Sequence, residues 1–229
     1  MEFIIISIVF VVFTIILKFI FQYNIKELKH IGEDEELDKL ASKYPNNTEL
    51  CKEYLKMVKN ETVEIEESKE GEASLYIAIT NKILIANIQK TYTRIQTIAH
   101  ECLHSIQDRK LLLFNFYFSN IYLVYFIVIC ALAIFKVLPY EMLFLSIFLF
   151  LALIYYMVRL YLENDAMIKA RYLAKEYMEN KRISTPEEIE KLVNGFDKIN
   201  KVGIKCINYN LFLGVMIKAI IFCAICIIR

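Results

Sequence analysis

The chain has 229 residues, of which 57% are hydrophobic, and its formal net charge at pH 7 is +1. This composition is too apolar for an ordinary soluble domain and predicts several helices that cross a lipid bilayer. A net charge near zero provides no basic excess of the kind that binds nucleic acid, so no nucleic-acid partner is expected.

An apolar run at 3–21 is long enough to cross the hydrocarbon core and predicts a first transmembrane helix within 1–23. A secretory signal would have basic residues ahead of the run and a small-residue cleavage site after it. Neither pattern is found around this run. We therefore expect the helix to stay in the protein as an anchor.

Residues 24–110 carry many charged side chains and predict a segment outside the membrane. Apolar residues recur at helical spacing over 33–44 and over 48–58, which predicts two helices. Asn47 is the predicted N-cap of the second helix, because a short polar side chain there can accept hydrogen bonds from the first free amides.

Three β-rich stretches follow at 62–66, 74–80 and 83–88. Their short connections predict a meander of three strands. An edge strand of this sheet could bind an extended peptide through backbone hydrogen bonds. The alternative is a sheet that only covers a neighbouring helix.

The motif H-E-x-x-H is formed by His100, Glu101 and His104. Residues four apart lie on one face of a helix, so the two histidines can bind one Zn²⁺ ion. Glu101 is placed to deprotonate a metal-bound water and does not need to bind the metal itself. The alternative is an amphipathic helix whose histidines are only polar surface.

The helix that carries this motif is predicted to run from Thr91 or Thr93 to about Lys110. Its inward face should be apolar, and a neighbouring stripe should be polar. The apolar face contains Ile95, Ile98, Ala99, Cys102 and Ile106. The polar stripe contains Thr97, His100, His104 and Gln107.

Two further apolar runs at 111–135 and 142–158 predict a transmembrane hairpin that spans 111–158. Two crossings return the chain to the side it left. The residues after Arg159 should therefore face the same compartment as the H-E-x-x-H motif.

A catalytic zinc site has three protein ligands and one open position, and no histidine follows His104. Glu163 and Asp165 come after the hairpin, but they point about 200° apart on a helix. Glu163 shares its face with a mostly apolar stripe, namely Ala166, Met167, Ala170, Leu173, Ala174 and Tyr177. A carboxylate on a packed face is costly unless it is paired. Glu163 is therefore the predicted third ligand, and Asp165 is either a hydrogen-bond partner of the site or a surface charge.

Hydrolysis of a peptide also needs a donor that stabilises the oxyanion. The side chains near the third ligand that could serve are Arg159, Arg171, Tyr172 and Tyr177. The sequence leaves these alternatives open.

Beyond the site, Thr185, Pro186 and Glu188 predict a helix start with a capping box. The third-ligand helix and this amphipathic helix make up 159–208, and 209–229 contains the predicted fourth transmembrane helix.

The six cysteines are scattered along the chain. Cys223 and Cys226 form a C-x-x-C, but they lie in a membrane-like run without a second pair. We expect reduced, space-filling thiols and no disulfide framework.

These features resemble the YugP-like neutral zinc metallopeptidases, a family of small bacterial membrane proteins. The resemblance is carried by the first span, the strand-rich segment, the sequence AHECLHSIQ at 99–107, the hairpin, the sequence ENDA at 163–166 with Ala170, and the last span. Family members usually have Gly and Ser where this chain has Leu103 and Met167. Neither difference removes a ligand.

The resemblance implies an α+β, mainly α, polytopic protein with four transmembrane helices and a small gluzincin-like catalytic unit. It implies one Zn²⁺ per chain bound by His100, His104 and Glu163, with Glu101 as general acid/base. The chain is also distantly similar to larger membrane zinc peptidases whose third ligand opens an E-x-x-x-D motif. Met167 stands where that Asp would be.

The predicted function is a membrane-embedded zinc metallopeptidase that hydrolyses membrane-associated or juxtamembrane segments of proteins. Helical rise places the metal about 10 Å from the lipid interface. Basic residues concentrate in 24–110 and 159–208, which predicts a site on the cytoplasmic face of the membrane. The resemblance implies that this is a bacterial cell membrane. The alternative is a non-catalytic zinc-binding scaffold or pseudo-peptidase, whose fourth ligand would be Cys102 or Asp165.

Overall fold

The computed structural model describes residues 1–67, 74–86 and 91–228. This part of the chain is mainly helical and has one small sheet, so the α+β, mainly α class is confirmed. The helices are α1 Glu2–Ile20, α2 Ile25–Gly32, α3 Glu35–Ala41, α4 Asn47–Met57, α5 Arg94–His104, α6 Arg109–Ile134, α7 Glu141–Lys181 and α8 Pro186–Ile228. The strands are β1 Glu64–Glu67, β2 Leu75–Ile77 and β3 Lys82–Ile85.

The chain forms two compact units. The first contains Met1–Tyr23, Phe114–Tyr161 and the chain from Lys205 onward, and the second contains Asn24–Leu113 and Leu162–Ile204. Helices α7 and α8 are uninterrupted, and each contributes residues to both units. The sequence had divided each of these helices into a transmembrane part and a separate soluble helix.

The first unit is built from apolar helices. Among the described residues, four helical stretches are long and apolar enough to cross a membrane, namely Glu2–Gly32, Arg109–Ile134, Glu141–Lys181 and Pro186–Ile228. Aromatic rings join these helices, with Phe3 in edge contact with Phe222 and Tyr122 stacked on Phe148. Because helices satisfy their own backbone hydrogen bonds, this unit suits a membrane protein.

The second unit is organised around α5. Ile95, Ile98, Ala99 and Cys102 are 0% exposed, as expected for the apolar face of this helix. Ile106 was assigned to the same face, but it is 48% exposed because α5 ends at His104 and does not reach Lys110. The next helix, α6, already begins at Arg109.

Two corrections concern the helices before the sheet. The helix predicted at 33–44 is shorter in the structure, where α3 spans Glu35–Ala41 and Asp34 is its N-cap. An additional helix, α2, precedes the predicted range. Helix α4 is capped by Asn46, whose side chain accepts from the amide of Glu49 at 2.9 Å. Asn47, the predicted cap, lies inside the helix and is buried.

The sheet is not the meander that the short connections predicted. Its order is β1-β3-β2, with β1 parallel to β3 and β2 antiparallel to it. β3 is the most apolar strand, and its Ile83 and Ile85 are buried, so burial favours the central position for it. β1 carries three glutamates and suits an edge. The predicted end of the third strand, 87–88, lies outside the described residues, as does Arg229.

The start of α8 confirms the predicted capping box. The amide of Glu188 donates to the Thr185 hydroxyl at 3.3 Å, and the Thr185 amide donates to the Glu188 carboxylate at 3.1 Å. Further along α8, Gly195 allows a close approach, because a Cβ there would lie 2.7 Å from Leu37 and 2.9 Å from Tyr92.

Candidate metal centre

Three side chains converge in the second unit. The Nε2 atoms of His100 and His104, one turn apart on α5, lie 3.0 Å from each other. Oε2 of Glu163, on α7, lies 3.4 Å from Nε2 of His100 and 3.8 Å from Nε2 of His104. The three residues form a group that could hold a metal ion, with one ligand atom from each.

The donor set and its spacing fit a divalent ion. Donor atoms about 2.1 Å from a tetrahedral zinc ion lie roughly 3.4 Å from one another. The three observed separations of 3.0, 3.4 and 3.8 Å scatter around that value. Two imidazoles and one carboxylate are also ligands that zinc accepts.

The burial pattern of α7 explains the position of Glu163. The residues on its side of the helix, Ala166, Met167, Ala170, Leu173, Ala174 and Tyr177, are all buried, as the sequence predicted. Asp165 and Lys169 lie on the other side and form an ion pair at 2.6 Å. Packing of the apolar side of α7 therefore turns Glu163 inward, toward the histidines.

Glu101 lies beside this group and is only 6% exposed. The backbone amide of Tyr76, in β2, donates to its Oε2 at 2.7 Å. Burial raises the pKa of Glu101 above its usual value, although the two histidines and the Tyr76 amide oppose the shift. A carboxylate in this position can take up a proton closer to neutral pH than an exposed one can.

His104 is subject to opposing effects. Burial lowers the pKa of its ring, but the hydrogen bond with Glu163 and the charges of Glu101 and Glu163 raise it by more. Its pKa is therefore above the usual value. A metal ion would compete with this proton, because a ligand imidazole must be neutral.

Gln107 is a site residue to which the sequence gave no role. Its Oε1 lies 2.8 Å from Nδ1 of His104. Its Nε2 donates to the carbonyl of Leu162 at 2.9 Å and to Oδ2 of Asp165 at 3.1 Å. Hydrogen bonds thus link Asp165 to His104 through Gln107. The one available sequence signal was the place of Gln107 three residues after a ligand.

The contact between Tyr76 and Glu101 was also missed. It uses the backbone of residue 76, so no side-chain pattern could indicate it. The sequence placed β2 near α5 only as part of a sheet that precedes the helix.

The four oxyanion candidates differ in their surroundings. Tyr177 is 1% exposed, and its hydroxyl donates to Glu53. Arg171 pairs with Asp197 and lies over the ring of the exposed Tyr172, 4.6 Å from its centroid. Arg159 belongs to the first unit. The partners shown for Tyr177 and Arg171 are thus Glu53 and Asp197, and neither partner belongs to the group of His100, His104 and Glu163.

The two proposed fourth ligands are also engaged elsewhere. Sγ of Cys102 lies 3.6 Å from Sγ of Cys51, in the core between α5 and α4. Asp165 contacts Gln107 and Lys169. Neither residue belongs to the group of potential metal ligands.

Comparisons with protein-family models, with curated proteins and with solved structures found no match. The resemblance to the YugP-like family therefore stays a prediction.

Proposed function

We propose that this chain is a membrane-bound zinc metallopeptidase that hydrolyses membrane-associated or juxtamembrane peptide segments. The observation that carries the proposal is the convergence of two imidazole nitrogens and one carboxylate oxygen beside a second, buried carboxylate. A His₂Glu set is typical of catalytic zinc sites, which keep one position open. The resemblance to the YugP-like peptidases agrees with this choice.

His100, His104 and Glu163 would hold the ion. When bound, zinc acts as a Lewis acid that polarises a carbonyl group and makes water more acidic. Glu101 accepts the proton of the attacking water and returns it to the leaving amine. Burial raises the pKa of Glu101 toward the operating pH, and a general acid and base is more efficient when its pKa is closer to that pH.

The edge of the sheet supports a peptide as substrate. Among the described strands, β2 pairs with β3 alone, and the Tyr76 amide donates to Glu101 instead of to β3. An extended peptide that lies along this edge would bring its backbone next to Glu101. We therefore propose that the substrate binds as an extended segment beside β2.

The alternative, a non-catalytic zinc scaffold, requires a fourth protein ligand that closes the site. Cys102 faces Cys51, and Asp165 faces Gln107 and Lys169. Their contacts favour the peptidase over the scaffold.

The proposed location is a bacterial cell membrane, with the site on its cytoplasmic face. Four apolar helices and the concentration of basic residues in 24–110 and 159–208 support it. A cysteine introduced at the exposed Lys175 tests the orientation. A membrane-impermeant maleimide should label it only after the cells are broken, and labelling of intact cells would contradict the proposal.

The function is tested on full-length protein in detergent. We expect about one zinc per chain by mass spectrometry and cleavage of casein or of a juxtamembrane peptide. Glu101→Gln should keep the zinc and lose cleavage by at least about 100-fold. Glu176→Gln, the same change at an exposed position of α7, should behave like the wild type. Unchanged cleavage by Glu101→Gln would reject the proposed base.

A further inference from the structure

We propose that Gln107 is a positioning residue, which holds His104 in the tautomer with hydrogen on Nδ1 and so makes Nε2 the metal-binding atom. The inference goes beyond the proposed function. It rests on the proposed metal site and does not depend on peptide hydrolysis.

The orientation of the Gln107 amide is fixed by its two neighbours on α7. Its Nε2 lies 2.9 Å from the carbonyl oxygen of Leu162 and 3.1 Å from Oδ2 of Asp165. A carbonyl can only accept a hydrogen bond, and so can a carboxylate that is ionised by its pair with Lys169. The amide NH₂ must therefore face α7. In the flipped orientation, the amide oxygen of Gln107 would lie against the oxygens of Leu162 and Asp165, and none of these atoms could donate a hydrogen bond.

The same orientation of the Gln107 amide determines which nitrogen of the His104 ring carries the hydrogen. With the NH₂ turned toward α7, Oε1 of Gln107 is the atom that lies 2.8 Å from Nδ1 of His104. An amide oxygen has no hydrogen to donate, so Nδ1 must carry one. In a neutral ring, the lone pair is then on Nε2, the atom that lies 3.0 Å from Nε2 of His100. An acceptor opposite the non-ligand nitrogen is the usual way in which proteins orient a ligand histidine.

The turn that carries Gln107 is held at both ends. Asn60 donates from its side chain to the carbonyl of Ser105 at 3.0 Å and to its hydroxyl at 3.1 Å. Asp108 starts α6 by accepting from the amide of Lys110 at 2.8 Å. Because the helix stops before Gln107, this side chain can turn back and contact both ligand-bearing helices.

The first test is ¹⁵N NMR of the metal-free, full-length protein with labelled histidine, at an alkaline pH where the rings are neutral. The chain has only three histidines, so the variants His30→Gln, His100→Gln and His104→Gln assign the signals. We expect His104 to carry hydrogen on Nδ1 in the wild type. In Gln107→Met, which keeps the length of the side chain and removes its amide, both tautomers should appear. Hydrogen on Nε2 of His104 in the wild type would overturn the proposal.

The second test is zinc affinity, measured by competition with a chromogenic chelator. Gln107→Met should weaken binding about 10–100-fold, the usual effect of removing a residue that orients a ligand. The double variant Gln107→Glu with Asp165→Asn keeps an acceptor opposite Nδ1 and supplies an amide donor at position 165. It should bind zinc more tightly than Gln107→Met, although the carboxylate oxygen that then faces the Leu162 carbonyl makes the recovery partial. Glu176→Gln, at an exposed position of α7, is the control and should leave the affinity unchanged.

These variants separate positioning from a role in folding. If Gln107→Met and the double variant lose the same affinity, or if Gln107→Met binds zinc like the wild type, the proposal fails. If Gln107→Met does not fold, the spectrum and affinity of the double variant decide. A protein that shows the expected tautomer and affinities but cleaves no peptide would refute the peptidase and leave this inference intact.

Discussion

The backbone amide of Tyr76 donates to Oε2 of Glu101 at 2.7 Å, so an edge strand holds the carboxylate that we propose as the base. A hydrogen bond to an ionised group contributes about 1.5–3 kcal/mol. The sheet therefore has a direct effect on the geometry of the site, in addition to covering α5.

Replacing Tyr76 by proline removes this donor. The fold should tolerate Tyr76→Pro, because the amide points away from β3 and proline is accepted on such an edge. We expect kcat for peptide cleavage to fall roughly 10–100-fold while zinc stays bound. Tyr76→Ala is the control, since it truncates the same side chain and keeps the amide. Equal losses in the two variants would show that the side chain, and not the amide, matters.

The third ligand is tested on α7. Removing a residue that hydrogen-bonds a metal ligand typically weakens metal binding roughly 10–100-fold. Glu163→Ala removes a ligand itself, so it should weaken zinc binding by more than that. Glu176→Ala, at an exposed position of the same helix, is the matched control and should retain the metal. Zinc content after dialysis measures both variants. Full occupancy in Glu163→Ala would exclude Glu163 as a ligand.

Glu53 should make stability dependent on pH. Burial raises the pKa of Glu53, but Lys181 and Tyr177 lower it by more through hydrogen bonds, and the net pKa is below the usual 4.5. Its contribution to stability is therefore present above pH 4.5 and is lost as the pH falls through the lower, folded-state pKa. Glu53→Gln should melt below the wild type at pH 7, and the difference should shrink toward pH 3. Circular dichroism measures it, because the chain has no tryptophan. A difference that is independent of pH would contradict this reasoning.

Arg94 anchors the start of α5 to the end of α3. Its buried guanidinium donates to four oxygens at 2.7–3.1 Å, namely the carbonyls of Ala41, Tyr44 and Pro45 and the side chain of Asn47. Arg94→Met would leave these buried acceptors without a donor and should destabilise the protein by about 3 kcal/mol. Arg94→Lys keeps the positive charge but cannot donate to all four oxygens as the planar guanidinium does. It should therefore lose less stability than Arg94→Met. Urea unfolding compares them, and a midpoint unchanged by Arg94→Met would show that the anchor contributes nothing.

Gly195 should not accept even a methyl group. A Cβ there would lie within 3.0 Å of side-chain atoms of Leu37 and Tyr92, so Gly195→Ala should cost about 1–3 kcal/mol. Gly32→Ala is the control, because nothing lies within 4 Å of its Cβ position. That change should be neutral or slightly stabilising, since alanine favours helices. Thermal unfolding of the two variants gives the comparison.

Local periodicity explains what the sequence could predict. The spacing of His100 and His104 and the buried stripe beside Glu163 are properties of single helices. Each therefore follows from 3.6 residues per turn without knowledge of the rest of the fold. The capping box of α8 is local in the same sense.

Other features depend on non-local contacts, and these could not be predicted from the sequence. The position of β3 between β1 and β2 depends on the burial of Ile83 and Ile85 against other elements. The end of α5 depends on Asn60, which binds Ser105 from 45 positions away. Gln107 gains its role from Leu162, 55 positions further along the chain. None of these partners can be inferred from the residues next to them.

The distance along the chain between the two ligand-bearing helices also sets the order in which the site can form. Gln107 and Asp165 are 58 positions apart, and all of α6 and the apolar part of α7 lie between them. A ribosome must therefore complete both apolar runs before the two imidazoles meet their carboxylate. Until then the nascent chain holds only two of the three donor atoms, so the metal site that we propose is incomplete while residues 1–162 are being synthesised.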